Sequence, residues 1–111
     1  MLAVGANAMT LDREAQFRKL VEQFPASPMG HFSLGKLLLE QGRYQEAAAS
    51  LEEATRLDPA YAAALVALGE AQAAAGLPEQ ARITWTRARA RALEQNHPSL
   101  AEEVDSLLAD L

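Results

Sequence analysis

Residues 34–54 read LGKLLLEQGRYQEAAASLEEA and residues 68–88 read LGEAQAAAGLPEQARITWTRA, the second stretch repeating the first at a displacement of 34 residues. Leu34-Gly35 returns as Leu68-Gly69, and Gly42, Ala47, Leu51 and Ala54 return as Gly76, Ala81, Trp85 and Ala88. A fixed period of this length marks a repeat array. Each unit is an antiparallel helix pair that hides its apolar face by stacking on a neighbour. Stacking produces a curved surface and not an enclosed pocket, so the pattern points toward binding and away from catalysis.

Six helices follow from caps and periodicity on either side of this core. The first is expected over about Leu11 to Phe24, with Phe17, Leu20, Val21 and Phe24 at helical spacing and Pro25 as its stop. Ser27 can cap a second helix that has Pro28 at its first position, where a missing N–H costs nothing, and Gly42 supplies a left-handed stop. The third spans about Tyr44 to Leu57, after which Asp58-Pro59 repeats the cap-plus-proline device for a fourth that ends at Gly76. A fifth runs from Pro78 to about Gln95, with Asn96 as its stop. Ser99 and Glu102 then have capping-box spacing, and Leu100, Val104, Leu107, Leu108 and Leu111 line one face of a terminal helix.

Loops this short make sequential helices antiparallel neighbours. Gly35 and Gly69 fall inside helices, where glycine costs about 1 kcal/mol relative to alanine, so their recurrence calls for a close helix approach. Ala47, Ala54, Ala81 and Ala88 are the small residues the facing helices would present, with Leu51 and Trp85 as the large knobs between them.

Composition agrees with an all-α chain of one domain. Its 111 residues are rich in helix formers, and aromatic residues make up only 5%, which leaves little appetite for strands. The absence of Cys removes disulfides, thiolate nucleophiles and cysteine-bound zinc together. A net charge of −5 argues against general nucleic-acid binding, which needs a surplus of Lys and Arg on some face. Met1–Met9 has no basic n-region and is too short to cross a bilayer. A cytoplasmic protein without a membrane partner is expected, with residues 1–9 as a flexible N-terminal extension.

At this point the chain resembles the tetratricopeptide repeat family. Residues 28–61 carry the family's pattern as Leu34-Gly35, Gln41-Gly42, Tyr44, Glu46-Ala47, Leu51, Ala54 and Leu57-Asp58-Pro59. Residues 62–95 keep Leu68-Gly69, Gly76, Ala81, Trp85 and Ala88, but have Pro78 in place of the turn tyrosine and lack a terminal proline. One period before Leu51 and Pro59 stand Phe17 and Pro25, so residues 10–27 look like the second half of a decayed repeat, and residues 96–111 serve as the capping helix. The resemblance implies an α-α superhelix of stacked helix hairpins and a non-catalytic role in protein–protein interaction.

The first helix of each repeat buries one side and turns the other toward the concave groove. With Leu34, Gly35 and Leu38 facing inward, the groove stripe of the first repeat is Met29, Phe32, Ser33, Lys36, Leu39 and Glu40; the second offers Ala63, Val66, Ala67, Glu70, Ala73 and Ala74. Exposed apolar residues there would form a partner site, unless the terminal helix or residues 1–9 already cover them. Family members that grip acidic chaperone C-termini place Lys, Asn and Arg at the corresponding groove positions. Here they read Phe32, Lys36, Ala67 and Glu70, which leaves Lys36 as the one possible clamp residue.

Other constellations read more plainly. Arg82, Arg87, Arg89 and Arg91 lie on one helix opposite the acidic Glu102, Glu103, Asp105 and Asp110, a solvated face with partial ion pairing. His31 and His97 are the only histidines and have no carboxylate at a metal-binding spacing, and no nucleophile elbow or phosphate loop occurs. No enzyme activity, cofactor or metal is expected. The reading is an adaptor that binds a peptide or partner helix in its groove, as a monomer or weak homodimer. The alternative is an assembly module that forms a homo-oligomer through array ends or the terminal helix.

Overall fold

A computed structural model describes residues 2–111, with side chains from Leu11 onward. The helices are α1 (Leu2–Gln23), α2 (Pro28–Glu40), α3 (Tyr44–Leu57), α4 (Ala62–Ala74), α5 (Pro78–Glu94) and α6 (Pro98–Ala109). Local chemistry sets most of their ends. Ser27 is in extended backbone and its hydroxyl accepts from the Met29 N–H at 3.4 Å, while Pro28 opens α2. Gly42 (φ 75°), Gly76 (φ 83°) and Asn96 (φ 62°) each take the left-handed conformation after a helix. The following N–H groups of Arg43, Leu77 and His97 then reach back to the carbonyls of Leu38, Gln72 and Ala92 at 2.8–2.9 Å. Three equivalent Schellman closures thus turn the chain by the same device.

Five helix ends differ from the sequence expectation. α1 starts at Leu2 and not near Leu11, because Leu2–Met9 contains Ala3, Ala6 and Ala8 and no proline to stop the helix; of the expected flexible extension, Met1 lies outside the described residues. Asp58 and Pro59 do not start α4. Asp58 ends α3, its carboxylate accepts from the Ala60 N–H at 3.1 Å and its carbonyl from the Tyr61 N–H at 3.1 Å, so the pair forms a turn with proline at the second position. Ser99 and Glu102 form no capping box: the closure at Asn96 delivers Pro98 as the first residue of α6, and no side chain caps that end. Phe24 and Leu111 fall beyond the ends of their helices and are exposed.

Successive helices pack against each other throughout, and α2 also meets α4. Two apolar clusters result. One joins Leu34, Leu38, Ala47, Leu51, Ala67, Leu68 and Ala71, with Phe17 packed against it from α1. The other joins Leu65, Val66, Ala81, Trp85, Ala88 and Val104, with Leu100, Leu107 and Leu108 of α6 packed on it. The two helical glycines hold the pairs together: a Cβ on Gly35 would stand 2.5 Å from Leu51 Cγ, and one on Gly69 would stand 2.2 Å from Trp85 Nε1. Trp85 sits deep enough for its indole N–H to donate to the Val66 carbonyl at 3.0 Å. Buried polar groups are satisfied likewise, as where the Thr84 hydroxyl donates to Gln72 Oε1 at 2.7 Å.

Candidate concave groove

α2, α4 and α6 stand side by side, each presenting the same repeat position. Phe32, Val66 and Leu100 are successive residues one period apart, and they line one hollow of about 190 Å³ together with Lys36, Ala63, Ala67, Glu70 and Glu103. A second hollow of about 450 Å³ shares Ala63 and Leu100 with it and is lined further by Asp58, Ala60, Tyr61, Ala62, Gln95 and His97. The Phe32 and Tyr61 rings, centroids 4.9 Å apart at 36°, form a tilted aromatic wall where the two meet.

Of the expected stripe, Phe32, Lys36, Ala63, Val66, Ala67 and Glu70 come together in the first hollow. Met29 is 65% exposed but lies outside either hollow, as do Ser33, Glu40 and Ala74; Leu39 and Ala73 are half-buried against the two clusters. Val66 (5% exposed) and Ala67 (2%) are buried and close the floor, the covered alternative that the sequence leaves open. Phe32 and Leu39 also lean on the first cluster, so they are not pure surface residues. α6 explains the burial of Val66: it caps the array and forms the third wall, covering the floor while leaving a hollow above it.

Leu100, Glu103, Tyr61 and His97 were not among the expected groove residues. Leu100 is legible from the repeat, since one further period after Val66 lands on it, although the capping helix that carries it lacks the Leu-Gly signature of a repeat's first helix. Tyr61 carries no such signal, because its place depends on the Asp58 turn.

The electrostatics of the groove centre on Glu70. Burial raises its pKa above the ordinary carboxylate value, Lys36 pulls it back, and Glu103 pushes it up again. Tyr61 is raised too, by burial and then by Asp58. Elsewhere on the surface, Arg89 meets Asp105 of α6 at 2.6 Å, whereas Arg91 and Arg82 pair within α5 to Glu94 and Glu79. His31 Nε2 lies 3.4 Å from the Pro25 carbonyl oxygen. Among the described residues no helix is long and apolar enough to cross a membrane, and no three acidic or histidine side chains gather in a metal-holding group.

Residues 35–76 match the family profile of the TPR repeat, spanning the second half of α2 and all of α3 and α4. That stretch is tetratricopeptide repeat sequence. Among solved structures the chain is similar to the TPR2B domain in its pHsp70 complex, from yeast Sti1, with a TM-score of 0.86 at 23% identity, covering 94% of this chain and 83% of that one. No curated protein matches the sequence. The tetratricopeptide superhelix accounts for the repeated glycines, the Schellman closures and the concave face built from alternate helices.

Proposed function

We propose that the protein is a non-catalytic adaptor that binds a peptide or helix of a partner protein in the groove between α2, α4 and α6. The observation that carries this reading is the recurrence of one repeat position, Phe32, Val66 and Leu100, around a hollow that shares Ala63 and Leu100 with a second. Its shape suits an elongated apolar ligand, and the similar Sti1 domain is seen in a complex with pHsp70. Ala63 offers the cleanest test, because it is exposed, lines both hollows and belongs to neither cluster. An Ala63→Trp variant should fold as the parent does and lose the partner recovered from native cell extract, with the parent's amide NMR shifts on binding mapping to Phe32, Lys36 and Glu70. Retained binding by Ala63→Trp would place the partner elsewhere.

The rival reading is self-assembly through the N-terminal end of the array. It draws on Phe24 (57% exposed) and Met29, which flank the turn between α1 and α2. Light scattering decides between them: a concentration-dependent dimer that Phe24→Ser abolishes supports assembly, and a monomer at all concentrations removes it.

A further inference from the structure

We propose that the groove selects a basic ligand, an extended segment in which a Lys or Arg side chain lies between small apolar residues. This rests on the groove being the binding site and adds the chemistry of what it takes. The basic side chain Lys36 and three acidic ones, Asp58, Glu70 and Glu103, line the two hollows, with His97 also lining the second. Asp58 already accepts a backbone hydrogen bond from Ala60. Glu70 and Glu103 form no ion pair among the described residues, and neither does Lys36.

Two carboxylates therefore face the same small hollow with one cation in reach. Glu70 is the more constrained, being half-buried, close enough to feel Glu103, and only partly compensated by Lys36. A ligand cation placed between Glu70 and Glu103 supplies the missing countercharge where water is partly excluded, the setting in which charge complementarity contributes most. A ligand carboxylate at the same point meets two like charges. The apolar flanks of the segment rest on Phe32, Val66, Ala63 and Leu100. An acidic peptide is thereby disfavoured by charge as well as by the lack of cations to grip it.

The test uses a phage-displayed library of random heptapeptides selected on the full chain, with recovered peptides synthesised and their affinities measured by fluorescence polarisation. We expect enrichment of Lys and Arg over Asp and Glu among peptides that Ala63→Trp no longer binds. The double variant Glu70→Gln with Glu103→Gln should weaken these peptides roughly tenfold. Lys36→Met, at an exposed position, should tighten them, which keeps the charge argument testable if the double variant folds poorly. Groove-dependent peptides that are neutral or acidic, or basic ones indifferent to both charge changes, overturn the charge inference while leaving groove binding intact. Selection of no peptide sensitive to Ala63→Trp overturns the groove reading itself.

Discussion

At the residue scale, the two helical glycines answer to different neighbours but to one constraint. A methyl at Gly35 would meet Leu51, which is fully buried, and a methyl at Gly69 would meet the indole of Trp85, which is pinned by its hydrogen bond to Val66. Neither neighbour is free to withdraw, so Gly35→Ala and Gly69→Ala should each cost about 1–3 kcal/mol in urea melts. Trp85→Ala should cost about 3–5 kcal/mol, and combining Gly69→Ala with Trp85→Leu should cost less than the sum, since the smaller side chain leaves room for the methyl. Gly76 behaves otherwise: nothing stands near its missing Cβ, and only its positive φ resists substitution. Gly76→Ala should cost about 1–2 kcal/mol with no coupling to Trp85. Glu70 gives a pH test. Its folded pKa is raised, so its ionised form opposes folding fully above that raised value and not at all below the ordinary carboxylate range near 4.5. Glu70→Gln should therefore raise Tm at pH 7, with the advantage shrinking as pH falls through that window; an advantage that persists at pH 3 would assign it to something other than charge.

At the element scale, α1 and α6 flank the repeats and both pack apolar side chains on them, Phe17 in the case of α1, but α1 adds a polar latch. α6 is held by apolar contact, with Val104 buried in the second cluster and Leu100, Leu107 and Leu108 packed on it. Removing residues 98–111 should uncover that cluster, lower Tm and promote association seen by light scattering; a truncated chain that stays monomeric and equally stable would make α6 a dispensable tail. α1 has a close approach at Gly30, whose Cβ would lie 3.2 Å from Val21 Cγ2, and a polar latch in which Glu14 accepts from Arg43 Nη1 at 2.6 Å while Arg43 also grips Glu46. The Arg43 hydrogen bond holds the Glu14 carboxyl below its ordinary pKa. The latch is intact above the ordinary carboxylate range and released as pH falls through the lowered value. Amide exchange across residues 12–23 should accelerate in Glu14→Gln at pH 7, and the variant and parent should converge in acid.

At the scale of the whole molecule, the array measures 43 × 30 × 23 Å, and its concave side is the product of three helices separated by one period each. The consequence for groove variants is mixed. Phe32→Ala and Leu39→Ala should weaken a groove ligand and also lower stability, because both side chains lean on the first cluster, whereas Ala63→Trp should affect binding alone. Parallel thermal melts and binding isotherms separate the two effects.

Periodicity and local chemistry by themselves determined the helix pairing, the α3 span, the stops at Gly42, Gly76 and Asn96, and the close helix approach at Gly35 and Gly69, because each depends on local backbone chemistry or on a strict repeat; that Leu51 and Trp85 are what those glycines meet came from the structure. It also named Phe32, Lys36, Ala63, Val66, Ala67 and Glu70 as neighbours along one side of the repeats. Helical spacing says which residues share a face, but not which distant helix closes over that face. Only the tertiary structure could show that α6 covers Val66 yet leaves a hollow bounded by Leu100 and Glu103, and that the Asp58 turn brings Tyr61 against Phe32. Those placements depend on contacts between segments far apart in the chain, and the burial that sets the charge behaviour of Glu70 is a property of that assembled surface.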